Sequence, residues 1–244
     1  MEKKNRRMCK KILIVIGIIL LLFILITVRK IIILSNIDNR VSDYENNKQN
    51  IYGKTVITDA ENDITTSEVF VKGYIIKETI ERKIEDATIG KTVQITYPNE
   101  RKLFIEYEGK KEVYISNETA PVRGAHIEDK VDYSTSVIIN FGYSISLPER
   151  ILNSIVTSIK TVEVDGKECY ELSSLHNSSM LYSEGTKEMQ AYVEKETGLP
   201  VKTVELIEKD GKTVENVVTY EYKFDVVTDE DMQEPDINEY EVKS

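Results

Sequence analysis

The side chains in this 244-residue chain best suited to nucleophilic or acid–base chemistry are two histidines, His126 and His176, and two cysteines, Cys9 and Cys169. A histidine-based hydrolase needs one of the histidines beside a Ser or Cys nucleophile. No Gly-x-Ser-x-Gly elbow is present, and no motif sets a Cys or Ser beside either His. No Cys/His spacing matches a zinc site. The eleven glycines stand singly instead of forming a phosphate-binding loop. Asp225, Asp229, Glu230, Asp231, Glu234, Asp236, Glu239 and Glu241 crowd the C-terminal tail, but the glycine-centred calcium-loop spacing is missing, and the cluster reads as a solvated charged surface. With 42 acidic residues, carboxylate pairs arise by number alone and none stands out as a glycosidase dyad. We therefore expect a non-catalytic protein that needs no cofactor or metal. An enzyme built on His126 or an unrecognised carboxylate site is the last of the alternatives.

The aromatic residues carry more information. Tyr74, Tyr97, Tyr107, Tyr220, Tyr222 and Phe224 fall on the apolar side of segments with a two-residue period, and they are the candidate ligand-binding residues. A concave sheet lined this way would take an acyl chain or an apolar peptide. The same faces would equally serve as an ordinary core beneath helices, because alternation predicts burial and not what does the burying.

The surrounding pattern is that of an antiparallel sheet. Thr92–Tyr97 alternates cleanly and Pro98-Asn99 ends it; Leu103, Ile105 and Tyr107 alternate with charged residues before a turn at Gly109-Lys110. Asp165-Gly166 and Asp210-Gly211 are two-residue hairpin signals. Val218, Tyr220, Tyr222, Phe224 and Val226 share one face of a last long strand, and Val69–Ile80 reads as a single central strand. Ser146-Leu147-Pro148-Glu149 has the form of a capping box, and Leu147, Ile151, Ile155 and Ile159 step by four along the helix it would start. Asn117–Thr135 reads as a long loop, and the tail Thr228–Ser244 as surface.

Ahead of the sheet stands an anchor. Lys3, Lys4, Arg6, Arg7, Lys10 and Lys11 precede Ile12–Val28, an uncharged run of seventeen residues. As a helix it rises about 25 Å, and flanking lysines and arginines that extend to the interfaces make up the rest of the hydrocarbon thickness. The run is too long for a signal-peptide core and no Ala-x-Ala follows, which predicts an uncleaved signal anchor with its basic end in the cytoplasm. Leu34, Ile37, Val41 and Tyr44 keep a helical period to about residue 48, either as the same helix or as a separate one. The expected division is a basic cytoplasmic tail (1–11), a transmembrane anchor (12–34) and one extracytoplasmic β-rich domain (35–244). The first thirty residues hold eight basic residues and one acid, which leaves a formal −17 on the rest of a chain whose total is −10. So acidic a domain does not seek nucleic acid. Cys9 and Cys169 lie on opposite sides of the membrane in this topology, and a sizeable extracytoplasmic domain without a disulfide points to a bacterial surface.

One passage resembles a known family. Ala191-Tyr192-Val193-Glu194-Lys195-Glu196-Thr197-Gly198-Leu199-Pro200-Val201-Lys202 is similar to the strand–turn–strand signature of the LolA-like lipoprotein carriers, whose pattern is Asp/Glu-Lys-x-Thr-Gly-Leu-Pro. Tyr220–Asp225 followed by Pro235-Asp236 resembles the family's closing strand and exit. The resemblance implies an α+β fold: a curved antiparallel sheet forming an incomplete barrel, with about two helices packed over an apolar cavity. It implies binding of a lipid, an acyl chain or a lipoprotein, or sensing of the envelope through a membrane partner protein. Unlike the carriers, this chain is tethered, and no arginine stands where the family's functional arginine would.

Overall fold

The computed structural model describes residues 2–47, 50–59, 61–85, 87–117, 151, 154–155, 157–175, 186–209 and 211–243. The capping box at Ser146–Glu149, both histidines and nearly all of the expected loop Asn117–Thr135 lie outside the described residues. One helix, α1 (Glu2–Asn47), runs through the anchor without a break and ends in polar residues. At 1.5 Å per residue its 46 residues extend about 69 Å. The amphipathic stretch after the anchor is thus the same helix carried on.

Among the described residues twelve strands follow: β1 (Asn50–Thr58), β2 (Ile64–Lys72), β3 (Ile75–Ile84), β4 (Ala87–Thr96), β5 (Arg101–Tyr107), β6 (Lys110–Ser116), β7 (Ser158–Val164), β8 (Lys167–Leu175), β9 (Thr186–Glu194), β10 (Pro200–Lys209), β11 (Lys212–Phe224) and β12 (Glu241–Lys243). They form one curved, unclosed sheet in the order β12-β6-β5-β4-β3-β2-β1-β11-β10-β9-β8-β7. Every ladder is antiparallel except the short parallel pairing of β12 with β6. The chain adopts the α+β class and the curved, unclosed antiparallel sheet expected from sequence, but with fewer helices among the described residues than the two packing helices expected. Among the described residues, helix is confined to α1, a one-turn 3-10 segment (Ile237–Glu239) and the helical residues Ile151, Ser154 and Ile155.

Three local expectations are corrected. Val69–Ile80 is two strands, because Gly73 (φ +58°) and Tyr74 form a two-residue turn between Lys72 and its partner Ile75. The next hairpin turns on Glu108 (φ +50°) and Gly109 (φ +77°), so Lys110 opens β6 instead of belonging to the turn. Ile159 lies in β7 and not on a helix. The Asp165-Gly166 hairpin does form, with both residues at positive φ (+50° and +78°), the pairing that matches strand twist.

Residues directly opposite one another in a ladder share a face, so the registers assign the sheet's two sides. Val69, Val71, Ile51, Phe224, Tyr222 and Tyr220 fall on one side, continuous with Ala191, Val193, Leu172 and Ile159. Val93, Ile95, Phe104 and Val113 fall on the other. The fold therefore has two cores on opposite faces. The first lies under the outer part of α1, and the second lies under the C-terminal tail.

Candidate functional site

The apolar face beneath α1 is built from alternate residues of β7 to β11 and β1 to β3. Leu172, Ala191 and Val193 are fully buried, and Tyr170, Met189, Tyr220, Tyr222 and Phe224 pack around them. From α1, Leu34 and Ile37 bury themselves against this cluster with Ile33 beside them. Each fully buried aliphatic side chain of this size contributes roughly 1.5–3 kcal/mol. A second cluster, Ile51, Val69 and Val71, continues the same face and meets the first at Phe224. Tyr220 and Tyr222 stack with their rings 6.4 Å apart and nearly parallel. The Tyr220 hydroxyl lies 3.3 Å from Thr203 Oγ1, and burial raises its pKa above the usual phenol value.

Three polar or close contacts fix the helix on the domain. Lys30 Nζ donates to the Thr157 carbonyl at 2.6 Å, and Arg40 donates to the Glu196 carbonyl at 2.9 Å. Between them the helix meets the turn after β9. There the Gly198 amide donates to the Glu194 carbonyl at 2.8 Å, and Thr197 Oγ1 donates to the Glu194 carboxylate at 2.7 Å. Gly198 sits at φ +78°, and a Cβ there would come within 3.0 Å of the Ile37 carbonyl and 3.1 Å of Arg40 Cβ. Glycine is thus required twice, for its backbone angle and for the approach of the helix. Leu199 is buried and Pro200 begins β10. β10 lies between β9 and β11, so Pro200 is tolerated as a strand's first residue and not as part of an edge.

The six aromatic candidates do not converge on one site. Tyr220, Tyr222 and Phe224 gather on the helix-covered face. Tyr97 belongs to the reverse face, where its hydroxyl donates to Glu234 at 2.6 Å. Burial, reinforced by that carboxylate, pushes its pKa up to about 12. Tyr107 is half exposed at the end of β5, its ring against Gly90, and Tyr74 is exposed in its turn. The residues that pattern reading missed are those of α1 itself. Leu34 and Ile37 show helical spacing, but spacing does not say which strands they meet.

The reverse face carries a different feature. After β11 the chain turns at Asp225 (φ +59°) and Asn50 clasps Val227 with two hydrogen bonds, of 2.8 and 2.9 Å. The tail then crosses the sheet strand by strand. Lys72 meets Asp229 at 2.6 Å, Lys77 donates to the carbonyls of Asp231 and Gln233, Lys102 meets Glu234 at 2.9 Å and Lys111 meets Glu239 at 2.8 Å. Tyr240 packs edge-on against Phe104 and donates to Glu106. The tail, expected as plain surface, is a strap. A pocket of about 350 Å³ lies beneath it, lined by Lys77, Lys91, Glu106, Glu234, Asp236 and Tyr240 among others. Four carboxylates (Glu106, Glu234, Asp236 and Glu239) and two lysines (Lys77 and Lys91) line it, so its formal balance is acidic. Among the described residues no group of three or more His, Cys, Asp or Glu side chains is placed to hold a metal ion. Cys169 is fully buried, which raises its thiol pKa and keeps it un-ionised.

Residues Lys11–Ile37 of α1 are long and apolar enough to cross a membrane. No protein-family model and no curated protein matches the chain. Among solved structures, the chain is similar to MucB in complex with MucA(peri), with 14% identity, a TM-score of 0.36 and coverage of 83% of this chain and 60% of that one. It is similar to a putative outer membrane lipoprotein-sorting protein domain from Vibrio parahaemolyticus, with 11% identity, a TM-score of 0.30 and coverage of 84% and 96%. It is similar also to a LolA superfamily protein from Nitrosomonas europaea, with 8% identity, a TM-score of 0.26 and coverage of 82% and 97%.

Proposed function

We propose that the protein is a membrane-tethered, extracytoplasmic binding domain of a bacterial envelope, which holds a lipid, an acyl chain or a lipoprotein by apolar burial and without catalysis. Its N-terminus faces the cytoplasm and α1 crosses the membrane once. The carrying observation is the continuous apolar face from β8 to β2, with Tyr220, Tyr222 and Phe224 at its centre and an amphipathic helix lying over it. Such a face, covered by one detachable element, can exchange a helix for an acyl chain at little net loss of apolar contact. Residues 33–37 then serve as a built-in occupant that gives way to the ligand.

Native mass spectrometry with organic extraction tests this reading. A domain of residues 30–244, purified from bacteria without detergent, retains Ile33, Leu34 and Ile37; one of residues 36–244 loses the first two. The shorter domain is expected to carry lipid or acylated peptide. Both domains clean, with no mass shift on adding lipid, would mean that the face is ordinary core.

A second reading is an envelope interaction or sensory module that acts through a membrane partner protein. It is favoured by β7, which forms the outer end of the sheet and has β8 as its one described neighbour. An extended partner segment could add a strand there. Crosslinking that retrieves one specific protein on β7, with no lipid, would select it.

A further inference from the structure

The contacts between α1 and the domain also fix how close the domain sits to the bilayer. Val28 ends the uncharged run, and Lys30, two residues on, already bonds to the Thr157 carbonyl at 2.6 Å. Leu34, six residues beyond Val28, is buried in the sheet cluster. Six helical residues span about 9 Å, only slightly more than the headgroup layer of roughly 5–7.5 Å. There is no free stalk. The start of β7 therefore stands at the level where α1 leaves the hydrocarbon.

The residues just before β7 have an unusual distribution of polarity. Ser154 and Thr157 are buried at 0% and 1% exposure, whereas Ile151 and Ile155 are 39% and 41% exposed. Ile151, Ser154 and Ile155 are helical, and Ser154 Oγ donates to the Ile151 carbonyl at 2.7 Å. Polar side chains thus point into the domain and two isoleucines point out of it. Ile155 lies within about 7 Å of Thr157 along the chain, and Thr157 is the residue that Lys30 bonds. Exposed aliphatic residues at a membrane interface, beside a lysine that extends to the headgroups, have the signature of an interfacial anchor.

We infer that Ile151 and Ile155 form a second membrane contact and enter the outer leaflet next to α1, so that the helix-covered apolar face stands at the bilayer surface with its β7 end lowermost. This rests on the reading of α1 as a membrane span. The occupant is lipid and not protein, because the pair lies at the height of the lipid headgroups. In a domain of formal charge −17, attraction to anionic lipid does not hold it there; apolar burial does.

The chain contains no tryptophan, so single substitutions report without background. The full chain is reconstituted in phosphatidylcholine vesicles, with and without lipids brominated on the acyl chain near the headgroup. Four variants are read: Leu22→Trp in the span, Ile151→Trp and Ile155→Trp at the inferred contact, and Tyr74→Trp in the exposed turn at the far end. Substitution at exposed positions leaves the core intact, and far-ultraviolet circular dichroism confirms the β-sheet of each. Leu22→Trp should emit in the blue whether or not the inference holds. Ile151→Trp and Ile155→Trp are expected to emit in the blue and to be quenched at least twofold by the brominated lipid, with Tyr74→Trp unquenched. Solvent-like, unquenched emission from both isoleucine positions, with Leu22→Trp buried, would overturn the inference alone. Solvent-like emission from Leu22→Trp as well would overturn the span on which it rests.

Discussion

The two faces of this sheet are sealed by opposite means. Over β7–β11 the cover is α1, held by Leu34, Ile37 and two bonds from basic side chains to backbone carbonyls. Over β3–β6 the cover is the C-terminal tail, held by a row of lysine–carboxylate pairs and two tyrosine hydroxyls. Beneath the tail lies a closed core of Val93, Ile95, Phe104 and Val113, each 6% exposed or less. Beneath the helix lies a larger face that includes the rings of Tyr220, Tyr222 and Phe224. An apolar cover exchanges readily with another apolar body, whereas a strap of directional polar bonds has no lipid equivalent. On the proposed function, the comparison puts binding on the helix side and stability on the strap side.

The largest effect should come from the closed core. Phe104→Ala removes a fully buried ring that meets Tyr240 at 5.1 Å, and a loss of about 3–5 kcal/mol is expected in chemical denaturation. A loss under 1 kcal/mol would mean that the strap face is not a core.

Next comes the helix cover. Leu34→Ala should cost about 2–4 kcal/mol of docking, read as faster amide exchange in residues 31–40 while the amides of β4–β6 stay protected. If β4–β6 also lose protection, the two faces are one cooperative unit and the contrast fails.

Gly198→Ala should cost about 1–2 kcal/mol, because alanine is strained at φ +78° and its methyl meets the Ile37 carbonyl. The expected result is a lower thermal midpoint together with less crosslinking between cysteines placed on α1 and the turn. An unchanged midpoint would show that the helix does not press on this turn.

The smallest effect, about 1 kcal/mol, concerns pH. Burial raises the Glu234 pKa, but the hydrogen bonds from Tyr97 and Lys102 outweigh it and hold the carboxyl below its ordinary 4.5. A depressed carboxylate stabilises the fold at neutral pH and loses that contribution as the pH falls below 4.5. Protease cutting in residues 228–240 should then rise as the pH falls below 4.5 while the α1 contact is unchanged, and Glu234→Gln should flatten the dependence. Equal opening of both covers in acid would contradict the division.

Much of this was legible in the sequence. The Asp165-Gly166 turn, the alternation of Val218–Phe224 and the uncharged run Ile12–Val28 are local signals, and each sits where its period places it. What escaped is non-local. Val69–Ile80 read as one strand because apolar residues continue on both sides of Gly73, and only the φ of +58° reveals the turn. Tyr97 and Tyr220 have the same alternating context, yet they face opposite sides. The reason is that which face a strand presents depends on register relative to its neighbours, which pattern alone does not encode. The strap was hidden because acidic, weakly apolar segments look the same in solvent and when paired with a row of lysines.

The most direct measurement is mapping of a photoreactive, clickable palmitoyl probe on the full chain in phosphatidylcholine vesicles, with adducts located by peptide mass spectrometry. Adducts on β8–β11, above all at Tyr220 and Tyr222, competed by excess palmitate and increased by Leu34→Ala, are the predicted result. Adducts confined to Ile12–Val28, with the sheet unlabelled in both proteins, would contradict a binding face beneath α1.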